Sequence, residues 1–454
     1  MMSISTAAQA LAGRVIGEDV QFNDVSTDTR SIEPGALFIA LRGDRFDGHD
    51  YLNIARERGA AAAMVAADAG TSEGDTGFPL LVVEDTRLGL GGLAKHWRGR
   101  FDIPVIAVTG SNGKTTVKEM TADIAREHFG EDAVLATAGN FNNDIGLPLT
   151  VLRMRRQHAC AVIEVGMNHP GETAYLADIA QATIAVVNNA QREHQEFMKN
   201  VSEVAQEHAA IIEALDENGV AVFNADDEHA AVWRAAAREC KTRDFGLKPS
   251  AAVHATYRAT AQSSELVIET PEGHTAAHLQ VPGEHNVRNA LAATAAATAA
   301  GASLTSVARG LMNFRAVKGR LQLKTGKDGV RVIDDTYNAN PDSVLAAIDV
   351  LARAASPRVL VLGDMGEVGD QGFGFHAEIG VYAKTQGIDR LFSLGALAAE
   401  SARSFGSGAF HAADINELIT SLMSALDAKS TLLIKGSRFM RMERVVQALV
   451  EGQE

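Results

Sequence analysis

Cysteine is scarce in this chain: 454 residues contain two, Cys160 and Cys240, far apart. That excludes a disulfide framework or a CxxC metal site and fits a reducing compartment. Positive charge is also short. Lys and Arg number 42 against 57 Asp and Glu, a formal net charge of −15. Nucleic-acid and anionic-membrane binding normally need a basic surface, so neither is expected. An anionic small substrate stays compatible, provided that local cations or metal ions hold it. No apolar run reaches the ~18 residues of a membrane span, and the N-terminus lacks the charged start and long apolar stretch of a signal peptide. Internal repeats and low-complexity tracts are missing too. These absences lead to the expectation of a soluble cytoplasmic protein without stable membrane insertion.

What is present is an ordinary globular composition: 46% hydrophobic and 22% charged, with mean hydropathy near zero, which argues against disorder. At about 150 residues per domain the length suggests roughly three domains. Residues 1–102 mix short apolar runs at 36–41 and 80–84 with turn-rich links and a helix-like stretch at 51–63. From 103 to 318, apolar strands at 105–108, 159–165, 183–187 and 220–223 alternate with Ala-rich helical segments. A stretch at 252–281 alternates without helices, as a small antiparallel patch would, and a helix follows at 287–300. From 319 to 454 strands at 331–334, 358–362, 390–394 and 431–434 are separated by helices such as 343–354 and 415–425. Strands alternating with helices imply parallel sheets wrapped on both faces. The expected fold is therefore α/β in three domains. A smaller N-terminal α/β domain (1–102) precedes a central phosphate-loop domain with a mainly parallel sheet (103–318) and a C-terminal Rossmann-like α/β domain (319–454).

The strongest local signal is Thr109-Gly110-Ser111-Asn112-Gly113-Lys114-Thr115-Thr116, between a strand and a helix. Backbone N–H groups at a helix N-terminus attract phosphate oxygens, and glycine permits close approach. Lys114 would neutralise β- and γ-phosphates, and the Thr115 hydroxyl would sit on Mg²⁺. Position 108, glycine in the general GxxxxGK[ST] pattern, is Val108 here. A GxGxxG with a following acidic residue is lacking, so a nucleoside triphosphate is favoured over a dinucleotide. The next strand ends in Glu164-Val165-Gly166. Strand C-terminal ends face the crevice of an open parallel sheet, which puts Glu164 where a hard oxygen ligand for Mg²⁺ belongs. His194 is a second candidate near the same edge.

Taken together, several segments resemble the Mur ligase superfamily, the ATP-dependent amino-acid ligases of peptidoglycan precursor synthesis. They are the loop 109–116, Gly139-Asn140-Phe141-Asn142-Asn143-Asp144-Ile145-Gly146-Leu147-Pro148, Glu164-Val165-Gly166, Gly283-Glu284-His285-Asn286-Val287-Arg288-Asn289-Ala290, Gly319-Arg320 and Asp334-Asp335-Thr336-Tyr337-Asn338-Ala339-Asn340-Pro341. Their order and spacing match the family over nearly the whole chain. The last of them, with Leu362-Gly363-Asp364-Met365-Gly366-Glu367, is similar to the branch that adds D-alanyl-D-alanine. The DNPR motif of the diaminopimelate- or lysine-adding branch is absent, and folylpolyglutamate synthetases share the loop but not this N-terminal arrangement.

The resemblance implies roles residue by residue. Gly110, Ser111, Asn112, Gly113, Lys114, Thr115 and Thr116 would bind ATP phosphates, and Asn289, Asp335 and Arg320 the adenine, the ribose and the nucleotide from the hinge. Thr115 and Glu164 would hold one Mg²⁺, and His194 a second. Lys114, Glu164, His194 and Arg320 form the catalytic set. Ser26, Thr27, Arg30, Arg42, Gly43, Asp47, Gly48 and His49 are similar to UDP-binding segments; the two arginines can meet a diphosphate. Asn142 and Asn143 would line the substrate, and Tyr337, Asn338 and Asn340 the place where the C-terminal domain closes over ATP and the dipeptide. Family members commonly carry a carbamylated lysine in the metal site. His208 stands there in this chain, within Val204-Ala205-Gln206-Glu207-His208-Ala209-Ala210, so carbamylation is not available. Glu207 or His208 supplies a substitute ligand, or the second metal is held more weakly.

The implied reaction joins D-alanyl-D-alanine to a UDP-N-acetylmuramoyl-tripeptide through an acyl phosphate, in a monomer using ATP and two Mg²⁺. The alternatives are a related ligase with another amine and a non-catalytic nucleotide switch built on the same loop.

Overall fold

The computed structural model describes residues 1–70, 78–193 and 195–450. The central sheet runs in the order Val134–Ala136, Cys160–Glu164, Val105–Thr109, Ile184–Val187, Val220–Phe223, Lys241–Thr242, and every pairing is parallel. Parallel strands are covered on both faces and so read as continuous apolar runs. Val105–Thr109 is the clearest case, with all five residues buried. Val105 and Ala107 enter one hydrophobic cluster while Ile106 and Val108 enter another on the opposite face. From this strand the chain first winds to one side and later to the other, which opens a crevice at the strand ends. The phosphate loop sits there.

The second cluster also covers the antiparallel patch His254–Ala259, Ser264–Thr270 and Gly273–Leu279, through Ala255, Leu266, Ile268, Ala277 and Leu279. Its middle strand alternates buried and exposed residues, as a sheet with one wet face must.

The C-terminal sheet orders Gln322–Thr325, Arg331–Asp335, Thr431–Lys435, Arg358–Gly363, Arg390–Leu394 and Ala409–Ala412, antiparallel at the first pairing and parallel thereafter. The N-terminal sheet orders Arg14–Ile16, Leu80–Val83, Ala62–Ala66, Ala36–Ile39 and Asp24–Ser26, again with one antiparallel pairing at the edge.

Here the helix expected at 51–63 is corrected. A helix covers Leu52–Glu57 only, and Ala62–Ala66 is the central strand. An alanine-rich run suits a helix or a doubly buried strand equally. Gly59 decides the matter: its φ of 88° is a left-handed turn after the helix.

The N-terminal unit does not have a core of its own on the side that meets the central sheet. One cluster runs from Ile4, Leu37 and Leu90 through to Val105, Leu147 and Leu176. The helix Thr86–Arg98 carries that junction. The Trp97 indole N–H donates to the Met154 carbonyl at 3.1 Å, and the Arg98 guanidinium donates to the carbonyls of Ala180 and Gln181.

Candidate active site

The loop after Val105–Thr109 turns through Gly110 and Gly113, with φ of 133° and 82°. A Cβ on Gly113 would stand 2.5 Å from Asn289 Oδ1 and 2.6 Å from Asn188 Nδ2. Both the left-handed backbone and the lack of space therefore demand glycine. Asn188 donates to Asn289 Oδ1 at 2.9 Å and to the Asn112 carbonyl at 2.8 Å, so the loop is bolted to the neighbouring strand end and to the helix Glu284–Ala299. Lys114 opens the helix Lys114–Phe129, whose first turn carries no acidic residue to compete with a phosphate. Its ammonium donates to the carbonyls of Gly110 and Ser111 and lies 3.3 Å from Glu193 Oε2.

Glu164 ends its strand only 2% exposed. Asn142 donates to its Oε1 at 2.8 Å, while its Oε2 is buried without a partner. A buried carboxylate oxygen with no donor is costly, and a hard cation is what satisfies it. The donor set thus fits Mg²⁺ at Glu164, although among the described residues no three His, Cys, Asp or Glu side chains converge as a ready-made metal cluster. His194 lies outside the described residues.

His208 is wholly buried behind the loop, with Nδ1 3.1 Å from Thr109 Oγ1 and Nε2 3.0 Å from Glu193 Oε1. Glu207 points elsewhere, accepting from the backbone N–H groups of Gly171 and Thr173 at 2.9 Å each.

The C-terminal unit closes the other side. Arg320 lies with its guanidinium 4.1 Å from the Tyr337 ring centre and donates to the Thr115 hydroxyl at 3.5 Å. Asp335 accepts from Leu321 N–H and from Lys435 Nζ at 2.6 Å. Burial lowers the Lys435 pKa, with Asp335 opposing. Asn340 caps the helix Pro341–Ala352 and exchanges amide hydrogen bonds with Asn112 of the phosphate loop. Arg192 reaches across to Asp342 and Glu378 and stacks 5.2 Å from the Phe375 ring.

Two cavities meet at the loop. One of about 620 Å³ is bounded by Gly113, Thr116, Asn289, Arg320, Asp335 and Lys435. Another of about 530 Å³ is bounded by Lys114, Asn142, Glu164, Glu193, Tyr337 and Asn338. Asn112, Gly113, Arg320 and Lys435 belong to both. Ser111 and Asn340 also line the second.

Other candidates lie apart. The Asn143 side chain is turned back to accept from Ile145 and Gly146 N–H at the start of the helix Gly146–Leu152, and it lines neither cavity. Ser26, Thr27, Arg30, Arg42, Gly43, Asp47, Gly48 and His49 line neither cavity. The exposed Arg30 is paired with Asp28, and the exposed Arg42 with Asp47 and Asp68. His49 accepts from Ala66 N–H on Nε2, so its Nδ1 carries the proton shared with Asp47.

Sequence reading passed over Lys435, Asn188, Glu193 and Arg192. Lys435 had a usable signal: a charged residue ending a buried strand, as at Glu164, with glycine one or two positions on. The other three lie in or beside loop 188–193, where no periodicity applies.

Family models match three stretches: the Mur ligase family catalytic domain at 21–98, the Mur ligase middle domain at 108–297 and the Mur ligase glutamate ligase domain at 319–438. The chain is 40% identical to the UDP-N-acetylmuramoyl-tripeptide--D-alanyl-D-alanine ligase of Escherichia coli strain K12, over 99% of each. The chain belongs to the Mur ligase family. Its structure superposes on MurF from Acinetobacter baumannii with a TM-score of 0.91 at 32% identity, covering 99% of both chains. MurF ligase from Thermotoga maritima, solved in complex with ADP, gives a TM-score of 0.82 at 26% identity over 94% of this chain and 96% of that one. Among the described residues no helix is long and apolar enough to cross a membrane.

Proposed function

We propose that this Mur ligase family member joins D-alanyl-D-alanine to UDP-N-acetylmuramoyl-tripeptide with consumption of ATP, a cytoplasmic step of peptidoglycan precursor synthesis. The observation that carries this is the full-length likeness to enzymes of that name. The geometry supports it with two cavities meeting at one phosphate loop. The larger takes the nucleoside, with Asn289 and Asp335 facing the base and ribose and Arg320 reaching in from the hinge. The smaller takes the reacting peptide ends, beside Asn142, Tyr337 and Asn338.

The chemistry follows from charge. The tripeptide carboxylate attacks the γ-phosphate, ADP leaves, and the amine of D-alanyl-D-alanine then displaces phosphate from the acyl carbon. Two anions must be brought together, so the loop N–H groups and Lys114 neutralise the triphosphate where it faces the carboxylate. Thr115, Glu164 and His194 are the residues that would hold Mg²⁺, which supplies further charge neutralisation. Acyl phosphates hydrolyse, and the C-terminal unit excludes water by closing through Asn340 and Arg192 onto the loop. The N-terminal unit (1–102) takes the UDP end. There Arg30 and Arg42 exchange their present carboxylates for a diphosphate, and Ser26, Thr27, Gly43, Asp47, Gly48 and His49 shape that pocket. The middle (103–318) holds the nucleotide, the last part (319–454) brings the dipeptide, and one chain carries the whole site.

Phosphate release scored over a panel of amines tests the substrate. D-alanyl-D-alanine should support release in the presence of the tripeptide; release with glutamate or diaminopimelate instead would overturn the assignment.

A further inference from the structure

We propose that Arg438 and Phe439 form the subsite for the C-terminal end of the incoming dipeptide, the arginine taking its carboxylate and the ring covering its methyl side chain. The proposal rests on the ligase reading above and adds to it the residues that select a free carboxylate next to a small side chain.

A dipeptide zwitterion makes two separate demands. Its amine must reach the acyl carbon beside the phosphate loop, and its carboxylate must find a cation away from the phosphates and Glu164, which repel it. Among the described residues that bound the smaller cavity, four carry Lys or Arg charge: Lys114, Arg320, Lys435 and Arg438. Lys114 belongs to the phosphate loop. Arg320 and Lys435 also bound the nucleotide cavity, and Lys435 is buried on Asp335 and the Asn338 carbonyl. Arg438 bounds the smaller cavity and not the larger. It pairs with Glu443 at 3.1 Å through Nη1, and its side chain is 64% exposed. An ion pair so open to water is worth little, so a carboxylate displaces Glu443 at small cost, and the planar guanidinium can hold it in bidentate fashion.

The backbone holds this pair in place before any ligand arrives. Arg438–Met440 is a short 3-10 turn that follows the strand Thr431–Lys435. The buried Ser437 precedes it. Ser437 N–H donates to the Asp364 carbonyl at 3.0 Å, and its hydroxyl accepts from Gly366 N–H at 2.6 Å and donates to the Ala339 carbonyl at 3.1 Å. The turn is thus fastened to Ala339 and Gly366, which bound the same cavity. The Phe439 ring lies against Gly366, where a Cβ would stand 2.9 Å from its Cε1. That ring is exposed. A lone exposed ring is ordinary on an open surface. On a cavity wall, next to a placed cation, it is the apolar half of a ligand site.

Steady-state kinetics of the full chain with ATP, Mg²⁺ and UDP-N-acetylmuramoyl-tripeptide tests this, comparing D-alanyl-D-alanine with its C-terminal amide. In wild type the amide should have a KM about tenfold or more above that of the acid, with kcat little changed. Arg438→Gln should raise the KM of the acid by a similar factor and leave that of the amide where it was, so the preference disappears. Arg438→Lys should restore part of it. Phe439→Ala should raise both KM values alike, by about fourfold, the worth of one buried methyl group. The KM for ATP should move in none of these variants. A preference for the acid that survives in Arg438→Gln, or a wild type indifferent to the amide, overturns the proposal and leaves the ligase reading standing. The wild-type comparison needs no variant, so a misfolded mutant does not remove the test. No product from D-alanyl-D-alanine in wild type overturns both.

Discussion

The Lys114 ammonium has three acceptors, the carbonyls of Gly110 and Ser111 and the Glu193 carboxylate, all of which a triphosphate can replace. Lys114→Ala should lower kcat/KM by roughly 10²-fold or more, the scale of losing one charge-stabilising donor, while a thermal melt shows the fold retained. His285 provides a pH prediction. Burial pushes its imidazole from 6.5 down to about 4, with Asp335 opposing. Between those values the unfolded chain binds a proton that the folded chain does not, so stability rises with pH over that window. It is complete above about 6.5 and is lost as pH falls towards 4. Urea unfolding at pH 7 and pH 5 should show about 2 kcal/mol more loss in wild type than in His285→Asn; equal losses would contradict this. At this scale residue type and spacing pointed to residues that the structure gathers on one cavity, as with Gly113, Lys114 and Glu164. They did not separate Asn142, which lines that cavity, from Asn143, which bonds nearby backbone, because the two look alike in sequence.

Elements were legible where one periodicity was possible. Val220–Phe223, Arg390–Leu394 and Ile415–Ala425 stand at the expected bounds, since their apolar patterns admit a single secondary structure. The stretch at 51–63 failed because alanine fits both, and only the left-handed Gly59 separates helix from strand. The strand–loop–helix at 105–129 has a sharper dependence. Gly113→Ala must carry φ of 82° and a Cβ against two buried amides, which should cost about 1–3 kcal/mol. Calorimetry should record a lower Tm together with weakened nucleotide binding; a variant with neither would show that the loop tolerates another geometry.

At the scale of the whole chain, the three-part organisation was visible in texture, but the contacts that join the parts were not, because they pair residues far apart in sequence. Arg192 is the chief of these, bound to Asp342 and Glu378 across the cleft. Burial opposes its charge, yet its hydrogen bonds to both carboxylates raise its pKa. Arg192→Ala should leave the C-terminal unit less firmly closed, raising the radius of gyration in small-angle scattering without nucleotide; an unchanged profile would show that Asn112 and Asn340 suffice. The net charge of −15 belongs to this scale too, since an acidic chain handling two polyanions depends on a few placed cations.

The most direct test of the ligase account is mass spectrometry of wild-type chain incubated with ATP, Mg²⁺, UDP-N-acetylmuramoyl-tripeptide and D-alanyl-D-alanine. The account predicts a product with the mass of the tripeptide plus the dipeptide less one water, formed one for one with ADP and phosphate. ADP formed without that product, or no consumption of the tripeptide, would contradict it.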